Sequence, residues 1–103
     1  MTDTTRIPPT LERLRAHRDE ILAIAERYHA YNVRVFGSVA RGEATAESDV
    51  DFLVKFAGGT SLFDLSALWQ DLADLLGYEV NVISEGGLKE RFAQRIQDDL
   101  VPL

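Results

Sequence analysis

Cysteine is absent from these 103 residues, so neither a disulfide framework nor a thiolate metal site can form. Long apolar runs are missing as well. No segment approaches the length of a membrane span, and the opening Met1-Thr-Asp-Thr-Thr-Arg-Ile-Pro-Pro-Thr10 has no apolar core of signal-peptide length. The protein is therefore expected to be soluble and cytoplasmic, with no membrane partner. Positive charge is scarce: 11 Lys and Arg against 17 Asp and Glu leave a formal charge of −6, and the basic residues are scattered along the chain. Because phosphate backbones are gripped mainly by Lys and Arg, the chain alone is not expected to hold a long nucleic acid. Internal repeats, low-complexity tracts and linkers are lacking too, and the length fits a single domain, 1–103, with one small core.

Against these absences, one stretch concentrates the chemistry. The apolar run Val33-Arg34-Val35-Phe36 leads into Gly37-Ser38, and ten residues later Asp49-Val50-Asp51 runs into Phe52-Leu53-Val54. Two strands are expected to bracket a turn that carries every candidate catalytic group. Gly37, lacking a Cβ, allows a tight turn and close approach of the backbone to a ligand. Ser38 is expected to cap a short helix, Val39-Ala40-Arg41, whose start offers N–H groups and a hydroxyl to phosphate oxygens, and Gly42 is expected to end it. Strand side chains alternate, which puts Asp49 and Asp51 on one face and Val50 and Phe52 on the other. Adjacent carboxylates repel unless a cation neutralises them, and hard oxygen ligands suit Mg²⁺ or Mn²⁺. If the two strands pair antiparallel, phosphate turn and carboxylate pair meet at one sheet edge.

The remaining sequence alternates helix and strand. Pro8-Pro9-Thr10 starts a helix to about His29 with Leu11, Leu14, Ile21, Leu22, Ala25 and Tyr28 on one face. After the Gly58-Gly59 turn, Ser61 caps a helix whose apolar face carries Leu62, Leu65, Leu68, Trp69, Leu72, Leu75 and Leu76, ended by Gly77. Tyr78 to Ile83 is a third strand, expected to lie parallel to the second through a right-handed crossover. Leu88 to about Leu100 is a last helix with Phe92 and Ile96 inward, and the apolar Leu100-Val101-Pro102-Leu103 either tucks into the core or meets a partner. The order α-β-(short α)-β-α-β-α gives an α/β (α+β) fold, a small mixed sheet flanked by helices.

The run Phe36-Gly-Ser-Val-Ala-Arg-Gly-Glu-Ala-Thr-Ala-Glu-Ser-Asp-Val-Asp-Phe-Leu-Val54 resembles the signature of the DNA polymerase β-like nucleotidyltransferase superfamily, and more narrowly the minimal nucleotidyltransferases, the MNT antitoxins encoded beside HEPN-domain toxins. Gly-Ser, Ala-Arg-Gly, Ser-Asp and Asp-x-Asp fall in the family's order and spacing. The resemblance implies the polymerase β-like fold, ATP as the nucleoside triphosphate, two Mg²⁺ ions, and transfer of a nucleoside monophosphate to a tyrosine hydroxyl of a HEPN-family toxin ribonuclease. Gly37 and Ser38 would hold the triphosphate, and Asp49 and Asp51 would be the catalytic and metal-binding carboxylates. Arg41 either supports the nucleotide at its γ-phosphate or is tied up by Glu43 or Glu47.

One departure from the family is visible. A third carboxylate is expected on the third strand, where this chain reads Val80-Asn81-Val82-Ile83. Asn81 ligates weakly and is no general base near neutral pH, and Glu79, two residues earlier, is the alternative donor or else a solvated edge residue. Three functions stay open: an active transferase antitoxin, an antitoxin that neutralises by binding alone, and a transferase subunit acting on a small molecule or RNA end. Homo- or hetero-oligomers fit each. Of the other polar residues, Ser48 either orients Asp49 or starts the strand, while Lys55, His17 and His29 read as surface residues and Trp69 as core.

Overall fold

The computed structural model describes residues 7–103, and the first six residues of the Met1–Thr10 run read above lie outside the described residues. Thr10 starts the first helix: its hydroxyl accepts the Arg13 N–H (3.1 Å), satisfying one of the free donors of α1, Leu11–Ala16. The expected single helix is broken at His17, and α2 runs Arg18–Arg27. The apolar stripe has a gap between Leu14 and Ile21, both fully buried, and the break falls in that gap. His17 Nδ1 there meets Glu20 Oε1 at 3.1 Å.

Strand β1, Ala30–Phe36, is followed without a loop by α3, Gly37–Arg41, then by β2, Val50–Phe56. Helix α4, Leu62–Leu76, opens on a reciprocal capping box between Ser61 and Asp64 and closes at Gly77, which adopts φ 73°. Strand β3, Val80–Ser84, leads through one 3₁₀ turn, Glu85–Gly87, to α5, Glu90–Ile96, and β4, Val101–Pro102. The last helix is thus shorter than the expected Leu88–Leu100, and its expected final residues lead into a strand. Two residues carry no periodicity, so β4 is invisible to pattern reading. Pro102 is tolerated because β4 is an edge strand, where a missing N–H costs no ladder bond.

The sheet order is β3-β2-β1-β4. Strands β1 and β2 pair antiparallel with Phe36 opposite Asp51, while β2 and β3 are parallel with Asp51 beside Asn81, as the crossover reading requires. Alternation sorts the side chains onto two faces. Val33, Val35, Val50, Phe52, Val54, Val80 and Val82 face α1, α2 and α4, with Leu14, Ile21, Leu68 and Leu72 completing the main core. On the opposite face a smaller cluster, Phe36, Leu53 and Ile96, is covered by Phe92 and Leu88, with the Phe36 and Phe92 rings edge to face at 5.9 Å. This second face also carries the candidate site at one end. At the other end Arg34 and Lys55 share Glu85, at 2.6 and 3.3 Å.

The α4 face is narrower than its sequence suggests. Leu68 and Leu72 are buried, but Leu62 is 82% exposed and Trp69 38% exposed, so neither is a core residue. Leu62 in the first turn and Trp69 two turns on lie with Leu65, Ser66 and Gln70 around an open hollow on the helix surface, outside the buried core. No helix among the described residues is long and apolar enough to cross a membrane.

Candidate functional site

Register alone assembles the site. Phe36 ends β1 opposite Asp51, so the next residue, Gly37, turns directly over the Asp51 side chain. Gly37 adopts φ +76°, and a Cβ there would collide with Asp51 Oδ2. Close approach, expected toward a ligand, is here made first to a carboxylate. The turn continues as α3, which Gly42 ends in the left-handed region at φ 74°, as expected. Ser38 differs from its expected role: the capping position is Phe36, and Ser38 lies inside the helix, where its carbonyl accepts the Glu43 N–H (2.9 Å). The helix starts two residues before the expected Val39, at Gly37, whose positive φ swings the chain from β1 straight into the turn, a conformation that glycine adopts without steric penalty.

Asp51 lies on the second face with Leu53, and Asp49 precedes β2 on the same side. Across the parallel pair, Asn81 Nδ2 donates to Asp51 Oδ1 (3.0 Å) and to Asp49 Oδ2 (3.3 Å). One amide group thus bridges both carboxylates. Burial pushes the Asp51 carboxyl above the usual aspartate range; the Asn81 hydrogen bond opposes this, the Asp49 charge adds to it, and the Arg41 charge opposes it. Glu79 stands exposed just before β3, where its carbonyl accepts the Val50 N–H (2.9 Å). Asn81, not Glu79, therefore contacts the carboxylate pair.

Arg41, the last residue of α3, donates from Nε to Glu43 Oε1 (2.9 Å) and from Nη1 to Asp99 Oδ2 (2.7 Å). Glu43 is one of the two ion-pair partners that the sequence offers Arg41. Asp99, 58 residues away, had no sequence signal, because only the fold beyond α5 brings it to α3. Ser48 closes the turn before β2, its Oγ accepting the Thr45 N–H (2.8 Å). Lys55 lies at the opposite end of β2, engaged with Glu85.

The donor set suits a hard divalent cation in part. Among the described residues no cluster of three His, Cys, Asp or Glu groups is present, yet one or two carboxylates completed by substrate phosphates are the usual protein share of an Mg²⁺ site. Asp49 and Asp51 are two such carboxylates, beside the Gly37 turn. Asn81 could add its Oδ1 only by turning its amide over and giving up both hydrogen bonds.

The nucleotidyltransferase domain family matches residues 14–102, spanning both helix layers, the whole sheet and the site. The chain belongs to that family. Within it, the chain is similar to minimal nucleotidyltransferases: the protein adenylyltransferase MntA of Thermococcus cleftensis is 38% identical over 88 residues, 85% of this chain and 86% of that one. A Methanocaldococcus jannaschii protein named as a protein adenylyltransferase is 34% identical over 89 residues, 85% of this chain and 88% of that one. A solved structure named as a minimal nucleotidyltransferase superimposes with TM-score 0.81 at 46% identity, covering 91% of this chain and 96% of that one. This nucleotidyltransferase also shares its fold with the MNT antitoxin in a Shewanella oneidensis complex with tri-AMPylated HEPN toxin, at TM-score 0.66 and 17% identity over 85% of this chain and 69% of that one.

Proposed function

We propose that this minimal nucleotidyltransferase is the antitoxin of a toxin–antitoxin pair and transfers AMP from ATP, with Mg²⁺, to a tyrosine hydroxyl of a HEPN-family toxin ribonuclease. The observation that carries this reading is the contact of the Gly37 turn with Asp51, which joins a phosphate-receiving backbone to a carboxylate pair at one sheet edge. The names of its relatives, MntA and the MNT antitoxin, support the acceptor class.

In this reading Gly37 and Ser38 receive the triphosphate, and Arg41 offers positive charge to its outer phosphates. Asp49 and Asp51 hold the divalent cation, with Asn81 a weak third donor; such a cation, when bound, offsets the charge on the phosphates. The acceptor hydroxyl gives its proton to solvent as its oxygen forms a bond to the α-phosphorus, the bond to the oxygen bridging to the β-phosphate breaks, and diphosphate leaves. The Asn81 amide takes no proton near neutral pH, so the site carries one base fewer than the family pattern.

The test is transfer of label from α-phosphate-labelled ATP to the protein encoded by the neighbouring gene, run with Asp51→Asn and Asn81→Asp. Label on the partner that falls at least about a hundredfold with Asp51→Asn is the expected result, and Asn81→Asp is expected to raise the rate. Unchanged transfer by Asp51→Asn would overturn the metal role of that carboxylate. The Asn81 bridge favours one second reading, because it sets an uncharged donor where the family pattern has a third carboxylate: an antitoxin that protects by binding alone. In that case Asp51→Asn still protects cells from the toxin, and native protein transfers no label.

A further inference from the structure

The structure connects the phosphate turn to a distant part of the chain through one side chain. Arg41 is the only charged residue of α3, and two carboxylates hold it. They differ in kind. Glu43 lies two residues away on the same turn with its side chain 66% exposed, so it fixes Arg41 only relative to its own loop. Asp99 is 22% exposed and anchored from both sides. Its N–H donates to the carbonyl of Ile96 (2.9 Å), whose side chain is buried against Phe36 and Leu53. Two residues further on, Val101 pairs with Val35 of β1, the strand that ends at the phosphate turn.

Asp99 is therefore fixed to the sheet, and its 2.7 Å bond to Nη1 fixes the guanidinium in turn. An unrestrained arginine would lose its rotamer freedom when it met a ligand. A pre-ordered one does not. With Nε and Nη1 engaged by carboxylates, the Nη2 edge is the part of the fork left to meet an anion.

We propose that Asp99 is a positioning residue, holding Arg41 ready for the outer phosphates of a nucleoside triphosphate; this rests on the nucleotidyltransferase reading of the site. The test is equilibrium binding of ATP and of AMP, each with Mg²⁺, to the full chain and its variants, with melting curves alongside. Asp99→Asn is expected to weaken ATP binding roughly five-fold, the scale of one ordered ion pair, with AMP affinity unchanged. Asp99→Glu is expected to recover most of the loss, and Glu43→Gln to cost less than Asp99→Asn. In an Arg41→Ala background the Asp99 substitution is expected to add nothing. ATP affinity unaltered by Asp99→Asn, an equal loss for ATP and AMP, or a full further loss in the Arg41→Ala background would each overturn the proposal. Failure of the native chain to bind ATP would overturn the nucleotidyltransferase reading itself, and the role of Asp99 with it.

Discussion

Adding one methyl group at Gly37 tests the site more directly than removing a charge, because it acts on the distance between the Gly37 turn and the carboxylate. Gly37→Ala meets two penalties, a positive φ and a collision with Asp51 Oδ2, whereas Gly42→Ala meets only the first, with nothing within 4 Å of the new Cβ. Both are expected to lose about 1 kcal/mol to backbone strain. Gly37→Ala alone is expected to lose nucleotide transfer as well, by about a hundredfold or more, since Asp51 must move. Melting and label transfer on the two variants separate these effects. Asp51 itself carries a sign that can be measured. Its carboxyl titrates above the unfolded value, chiefly through burial, so the fold favours the protonated form. The stability this lends is present below the unfolded pKa and is lost as pH rises through the folded one. Without metal, Asp51→Asn is therefore expected to melt above the native chain at pH 7, with the difference shrinking as pH falls through the folded pKa, while its transfer activity is gone. A lower melting temperature at pH 7 would contradict the assigned burial cost.

At the scale of elements, the far end of the second sheet face depends on one carboxylate. Glu85 in the 3₁₀ turn joins Arg34 of β1 and Lys55 of β2, and Arg34 Nη2 is buried with no hydrogen-bond partner among the described residues. The Arg34 hydrogen bond is the main cause holding the Glu85 carboxyl below its ordinary value. A lowered folded pKa means that its stabilisation is present above the unfolded value, near 4.5, and is lost as pH falls through the folded one. Glu85→Gln is expected to cost about 1 kcal/mol at neutral pH, as two cations then face each other with one partner fewer. It should also flatten the acid limb of the stability profile, read by denaturant melts from pH 7 to 3. An unchanged acid limb would show that Glu85 contributes nothing there.

For the whole molecule, the exposed first turn of α4 supplies a control. Leu62 and Phe63 are 82% and 86% exposed, so replacing both by serine is expected to change stability by no more than about 0.5 kcal/mol and to leave nucleotide binding intact. A large loss in a denaturant melt would mean that this turn packs on something. Sequence reading expected Leu62 and Trp69 to face inward because the helical period assigns a side to each residue but cannot say how far the neighbouring layer extends. The same division runs through the chain. Local chemistry was legible at Thr10, Ser61, Gly42 and Gly77, where a cap or a left-handed turn needs its residue type, and at β1, β2 and β3, where alternation sets the faces. Asp49, Asp51, Gly37 and Asn81 were legible as a group because their strands are neighbours in sequence as well as in space. Register decided the rest. Only pairing across the sheet brings Gly37 over Asp51 and Asn81 between two carboxylates, and only the return of the chain to β1 as β4 sets Asp99 beside Arg41. A pattern of residue types is a local property of the chain, whereas a contact between residues 58 apart exists only once the sheet has closed.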